Sequence, residues 1–313
     1  MTDPASLQTP ALSTGDLSIP DLATAAPRSL TSDAWYDLRR RPLFWVSASL
    51  IAFLLVLAAA PGLFTSADPN FALLPRSRQE PSAQAWFGYD VQGRDVYART
   101  IYGTRVSIVV GVLATGITIA IGATMGIVAG YLGGWVDAVA SRFADVFFGL
   151  PFVLGAIVVL TTLRDVTGGS AVGITALVVT AMGVLSWPVT MRIMRSAAIS
   201  ARQQDYVRAA RGLGAGPVRV IRRHLLPNCL APVLVYATIA LGAFIGAEAT
   251  LSFLGIGLRD PVVSWGVMIS EARDYFRSSP HMVLFPACFL TVTVLAFVML
   301  GDAVREAFDP KSR

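Results

Sequence analysis

The feature that most constrains this chain is a series of long stretches that contain no charge, or only one ionisable residue. Crossing a bilayer takes about 20 apolar residues in a helix, and each of the six stretches is at least that long. They are Leu43–Phe64, Val106–Val136, Phe143–Leu163, Val166–Met191, Leu225–Leu258 and Ser278–Gly301. A helix, unlike an open strand, satisfies its own backbone hydrogen bonds in lipid.

Composition agrees with a membrane protein. Of the 313 residues, 54% are hydrophobic and 14% are charged, whereas about 25% are charged in a soluble domain. This composition argues against an ordinary soluble enzyme. We predict an all-α integral membrane protein with six transmembrane helices, near residues 43–64, 106–131, 143–163, 168–191, 228–256 and 281–301.

The distribution of basic residues predicts the orientation. With the N-terminus inside, 16 of the 25 basic residues lie in cytoplasmic segments and 9 lie outside, as the positive-inside rule favours. Both termini are therefore expected in the cytoplasm. Residues 1–41 read as a largely disordered cytoplasmic tail, and the apolar run that starts at Leu43 is too long for a cleaved signal peptide.

Several classes of site find no support in the sequence. Cys229 and Cys288 show no CxxC or Cys/His spacing, and there are only two histidines, so no metal site is expected. The basic residues lie next to the spans without the motifs of nucleic-acid recognition, so no nucleic-acid partner is expected. No Walker sequence occurs and Lys311 is the only lysine, which excludes a standard P-loop ATPase.

The cytoplasmic loop between the fourth and fifth spans, residues 198–225, predicts a helix, a turn and a second helix along the membrane. Apolar and small residues recur at helical spacing on one side of the first helix: Tyr206, Ala209, Ala210 and Leu213. Pro217 suits the first turn of the second helix, and Pro227 is expected to end it. From the residues alone, an arginine-rich helix held by anionic lipid is favoured over a protein-docking helix.

Four motifs in order resemble the dipeptide/oligopeptide/nickel permease family of ABC importers. They are Gly93–Ser107, Asp145–Pro151, the loop pattern Ala209-Ala210, Gly214, Leu225-Leu226-Pro227, and Glu248–Gly257. The resemblance covers about residues 35–310. The long loop after the first span and the six spans resemble the C-type subunit of the family.

The resemblance implies a type I ABC importer permease fold over residues 42–310, in the bacterial cytoplasmic membrane. It implies that loop 198–225 couples to a cleft of a cytoplasmic ATPase through a docking tip, with charged residues beside it. The expected tip is Ala209, Ala210, Gly212, Leu213 and Gly214, and the charged neighbours are Asp205, Arg208 and Arg211. Arg208 stands where the family has Glu, so Asp205 is expected to supply the nearby carboxylate.

The resemblance also implies a transport function with several partners. The chain would take up short peptides with a homologous second permease, two ABC ATPases that hold ATP and Mg²⁺, and an extracytoplasmic substrate-binding protein. It would be a translocation subunit, not an enzyme, with no cofactor of its own, and would contact membrane lipid. Alternatives are a permease for nickel or another small solute, a secondary transporter, or a non-transporting membrane scaffold.

Charged and small residues within the spans give further expectations. Arg142 and Asp145, three residues apart, are expected to form a structural pair. Glu248 is expected either to meet a partner on another helix or to line an aqueous path. Residues of spans three to five are expected to line the pathway: Met182, Ser186, Phe244 and Glu248. Glycines at spacings of four in the second span predict a close-packing face: Gly122, Gly126 and Gly130.

Overall fold

The computed structural model describes residues 35–36 and 38–307, which are helical apart from loops. Most of the expected cytoplasmic tail, residues 1–41, falls outside this part of the chain. The helices are α1 (Pro42–Ala59), α2 (Val96–Leu132), α3 (Gly134–Gly149), α4 (Phe152–Thr162), α5 (Ala171–Ala201), α6 (Asp205–Gly212), α7 (Pro217–Val220), α8 (Leu226–Phe253), α9 (Trp265–Ala272) and α10 (His281–Ala307).

Five helices are long and apolar enough to cross a membrane: α1, α2, α5, the continuous helix Pro217–Phe253, and α10. The third predicted span, 143–163, is different because α3 and α4 meet at an angle of 86°. With 11 residues, α4 is only about 16 Å long, so the third predicted span is a bent pair of helices and not one continuous helix. Leu150 is extended before Pro151, as steric contact with a proline ring requires.

The second helix of the cytoplasmic loop does not end at Pro227. Residues 217–253 form one helix that contains a π-helical turn, Ile221–Leu225. Pro227 lies in the first turn of α8, directly after this turn. The wider π turn accommodates the irregularity, so the chain runs unbroken from α7 into the membrane.

The packing of α2 against α5 organises the bundle, and glycines of α2 permit it. A Cβ atom added at Gly122 would lie 2.6 Å from Cβ of Thr190, and one at Gly130 would lie 2.8 Å from Cβ of Ala198. Both distances are too short for real contacts. The predicted close-packing face is therefore confirmed, and it is turned to α5 of the same chain.

A folded cap covers the end of the bundle opposite loop 198–225. It consists of the segment between α1 and α2, together with α9. Arg94 and Arg99 lie buried between Asp90 of this segment and Glu271 of α9, at distances of 2.6 to 3.6 Å. The short helix α9 was not expected from the sequence.

Candidate coupling surface and transport pathway

The first helix of the loop, α6, ends in a well-defined turn. Gly214 has a φ of +83°, a conformation that glycine adopts readily. The Ala215 N–H donates to the Ala210 carbonyl at 3.0 Å, and the Gly214 N–H donates to the Arg211 carbonyl at 2.9 Å. This pair of bonds is the Schellman motif. It satisfies the carbonyls at the end of α6 and turns the chain towards α7.

A single buried apolar side chain of α6 packs against the membrane helices. Val207 is fully buried in a cluster with Val220 of α7, Leu225 of the π turn and Met194 of α5. The expected apolar stripe through Tyr206 and Ala209 did not include Val207.

Two arginines of the loop join it to the end of α2. Arg202 donates to the carbonyl of Gly130 at 3.0 Å, and its Nη1 lies 3.4 Å from the carbonyl oxygen of Tyr131. The Arg211 guanidinium lies 4.7 Å from the centre of the Tyr131 ring. The last carbonyls of a helix lack partners within the helix and carry partial negative charge, so cations are favourable there.

The outer face of α6 is open. Leu213 at the tip is 90% exposed, and Ala209 and Tyr206 are exposed with it. Arg208 lies 3.9 Å from Asp205, and both side chains are largely exposed, so this ion pair is weak. Partial desolvation raises the pKa of the Tyr206 hydroxyl. The structure thus brings together the residues of the expected docking tip on one accessible surface.

A cavity of about 240 Å³ lies between α4, α5, α8 and the bend after α3. Ser186 and Phe244, two of the predicted pathway residues, line it, along with Tyr236, Phe148 and Phe152. The lining is apolar apart from the Ser186 and Tyr236 hydroxyls and backbone groups.

Met182 and Glu248, the other two predicted pathway residues, do not line this cavity. Met182 is fully buried in the apolar core formed by α2, α5 and α8. Glu248 is also fully buried, on the face of α8 that is turned to the cap. Their positions on the helices carry both side chains away from the cavity.

Glu248 is hydrogen-bonded to two hydroxyl groups, one on its own helix and one on the residue before α9. Its Oε1 accepts hydrogen bonds from Ser252 at 2.8 Å and from Ser264 at 2.9 Å. Ser264 also caps α9 by accepting from the Val267 N–H at 3.2 Å. Oε2 has no partner among the described residues. Glu248 therefore links the end of α8 to the start of α9.

Asp145 has two basic neighbours. Arg142 lies 3.8 Å away, the contact expected from the sequence, and Arg192 of α5 approaches more closely, at 2.9 Å. Arg192 was missed because it is distant in the sequence. The two ion pairs are substantially exposed, and the Arg192 bond ties α3 to α5.

Within the described ranges, no group of histidine, cysteine and carboxylate side chains is arranged to hold a metal ion.

Comparison with family models identifies the chain's relatives. A model described as "Binding-protein-dependent transport system inner membrane component" matches residues 122–313, and one described as "N-terminal TM domain of oligopeptide transport permease C" matches residues 29–82.

Curated relatives match over nearly the full length. The dipeptide transport system permease protein DppC of Alkalihalophilus pseudofirmus is 37% identical over 285 residues, covering 90% of each chain. The protein of the same name from Bacillus subtilis is 37% identical, covering 91% of this chain and 87% of the relative. The glutathione transport system permease protein GsiD of Pectobacterium atrosepticum is 34% identical, covering 94% and 95%.

Solved structures share the fold. A chain of the MetNI methionine ABC transporter, in an inward-facing conformation, superposes with a TM-score of 0.55 at 19% identity, covering 67% of this chain and 96% of that one. A chain of an amino acid ABC transporter gives a TM-score of 0.50 at 17% identity, covering 66% and 92%. The type I importer permease fold is thereby confirmed. The chain is a multi-pass membrane protein that belongs to the family of binding-protein-dependent transport system inner membrane components.

Proposed function

We propose that this chain is one of two permease subunits of an ATP-driven importer of short peptides. An extracytoplasmic binding protein delivers the peptide, and two separate ATPase subunits bind ATP with Mg²⁺ and hydrolyse it. Both termini and loop 198–225 face the cytoplasm. The names of the relatives, which describe dipeptide and glutathione transport, support a peptide as the substrate.

The observation that carries the proposal is the construction of loop 198–225. Its outer face presents Leu213 and the small residues of the tip, which allow close approach of a partner's backbone. Its inner face is fixed by buried Val207 and by the hydrogen bonds from Arg202. When the ATPase displaces the tip, α2, α5 and α8 therefore move with it as a rigid unit.

The cavity lies on the helices that this displacement moves. ATP binding closes the ATPases, loop 198–225 moves with them, and the helices around Ser186 and Phe244 rotate so that the cavity changes its open side. The apolar lining suits passage of diverse side chains, because it makes few specific polar contacts. The chain contributes half of the pathway and no catalytic residue.

The test is reconstitution of the complete transporter in lipid vesicles with Leu213→Asp. We expect peptide uptake and the stimulation of ATPase turnover by loaded binding protein to fall at least tenfold, because a carboxylate replaces the apolar tip. The complex should still contain all its subunits. Normal uptake by the variant would refute docking through the tip.

The matched control is Leu63→Asp. Leu63 is 78% exposed but lies just after α1, at the other end of the bundle. Uptake by this control should equal that of the unmodified protein. An equal loss in both variants would mean that any added charge disturbs assembly, and would contradict a specific role for Leu213.

A further inference from the structure

Six of the nine arginines predicted to lie on the outer side have a partner for their side chain. Arg94 and Arg99 lie in the buried ion-pair network, and Arg105 donates to the Ala58 carbonyl at 2.8 Å. The others with partners contact aromatic rings or a neighbouring carboxylate: Arg76, Arg78 and Arg273. Among the described residues, the guanidinium groups of Arg164, Arg259 and Arg277 contact no hydrogen-bond or ion-pair partner.

Two of these three arginines share one pocket. Arg164 and Arg259 line a recess formed by the end of α4, the start of α5 and the turn after α8. The hydroxyl-bearing residues Thr161 and Thr167 lie beside them, and the floor is apolar core. Arg277 does not line it.

The size of the recess limits what it can hold. Its volume is about 40 Å³, which suits a small group such as a carboxylate and not a whole peptide. Guanidinium groups bind carboxylates with two parallel hydrogen bonds, and Asp165 and Asp260, although adjacent in sequence to the two arginines, form no ion pair with either.

The recess lies on the same helices as the transport cavity. The cavity contacts α4 at Phe152 and α5 at Leu185, whereas the recess contacts α4 at Leu160 and α5 at Leu177. Eight residues along each helix correspond to about 12 Å. An extended three-residue peptide spans about 10 Å, so a tripeptide held at the recess covers most of the distance to the cavity.

Building on the proposed import of peptides, we propose that the recess between Arg164 and Arg259 binds the C-terminal carboxylate of the arriving peptide. The site accepts the peptide at the outer end of the pathway before it enters the apolar cavity. It selects for a free carboxylate and is indifferent to the side chains.

The experiment compares a tripeptide that ends in a free carboxylate with its C-terminal amide. Both are presented on saturated binding protein to the reconstituted transporter in phosphatidylcholine, so that no anionic lipid competes. We expect the unmodified transporter to take up the acid at least tenfold faster than the amide. In Arg164→Gln and Arg259→Gln, uptake of the acid should fall to the rate measured for the amide, and uptake of the amide should not change. Arg277→Gln should behave as the unmodified protein.

Equal losses for the acid and the amide would overturn the proposal. They would show that the arginines only neutralise the carbonyl ends of α4 and α8, or that they contact the binding protein. No preference for the acid in the unmodified transporter would overturn it as well.

A second measurement separates this site from the transport function. Titration calorimetry of the assembled transporter with the N-acetylated tripeptide acid needs neither the binding protein nor turnover. We expect binding of the acid that is lost in Arg164→Gln and Arg259→Gln. Binding of this kind without uptake would refute the proposed import and retain the carboxylate site, whereas no difference between acid and amide would refute the site itself.

Discussion

Removing Glu271 should open the cap at the end of the bundle opposite loop 198–225. Its Oε2 accepts from Arg94 at 2.7 Å and from Arg99 at 3.1 Å. Asp90 accepts from Arg94 at 2.6 Å but lies 3.6 Å from Arg99. Two cations and two anions therefore balance. In Glu271→Ala, Arg99, whose side chain is 2% exposed in the unmodified protein, loses its closest carboxylate.

The expected magnitude follows from burial. Removing one partner of a buried ion pair lowers stability by about 3–5 kcal/mol. Because Glu271 is partly exposed, we expect the lower end of this range, about 3 kcal/mol. At 1.36 kcal/mol for each factor of ten, that corresponds to roughly 150-fold more frequent local opening. Glu271→Gln keeps an acceptor oxygen and should give a smaller increase.

Amide hydrogen exchange of the purified transporter measures this opening directly. The reporter amides are those of Asp90, Arg94 and Val96, which donate within the cap. Asp274→Ala is the control, because it removes an exposed ion pair with Arg273 in the same region and should cost less than about 1 kcal/mol. Equal exchange in the Glu271 and Asp274 variants would refute the argument from burial.

Other perturbations have equally specific outcomes. Gly126→Val should prevent α2 from packing on α5 and reduce the amount of complex recovered from membranes, whereas Gly116→Ala, where an added Cβ meets nothing within 4 Å, should not. Glu248→Ala leaves two buried hydroxyls without an acceptor. Each unsatisfied group should lower the free energy of unfolding by about 1–3 kcal/mol, and the thermal unfolding midpoint should fall with it. Glu248→Gln should retain most of the stability. Arg202→Ala should reduce uptake about tenfold with ATPase turnover retained, since a charged hydrogen bond contributes about 1.5–3 kcal/mol, and Arg222→Ala, an exposed arginine, should leave uptake unchanged.

Hydropathy predicted the membrane architecture because apolar length is a local property of the sequence. The six stretches correspond to the five long helices and the bent pair. The bend at Pro151 was not predicted, because a sequence with Asp145 and flanking apolar residues is compatible with both a bent and a straight span. Proline rules also misplaced the end of the helix at Pro227, since the effect of a proline depends on its position within the helix.

The site could be predicted only in part. The tip of loop 198–225 follows from small residues and glycines in a short segment. The pathway residues depend on which way a side chain points on a helix that is apolar all round, and such a helix gives no periodicity to read. Met182 and Ser186 lie one turn apart, yet only Ser186 reaches the cavity. The recess of Arg164 and Arg259 joins two loops distant in sequence.

The helix α2 connects the cap at one end of the bundle to loop 198–225 at the other. It runs for 37 residues, about 55 Å, which is longer than the membrane core. Asp95 caps its first turn beside the ion-pair network, and Arg202 satisfies carbonyls in its last turn. Its glycines lock it to α5 between these ends. The displacement of loop 198–225 that we propose would therefore reach the cap through one rigid element, without a chain of side-chain rearrangements through the core.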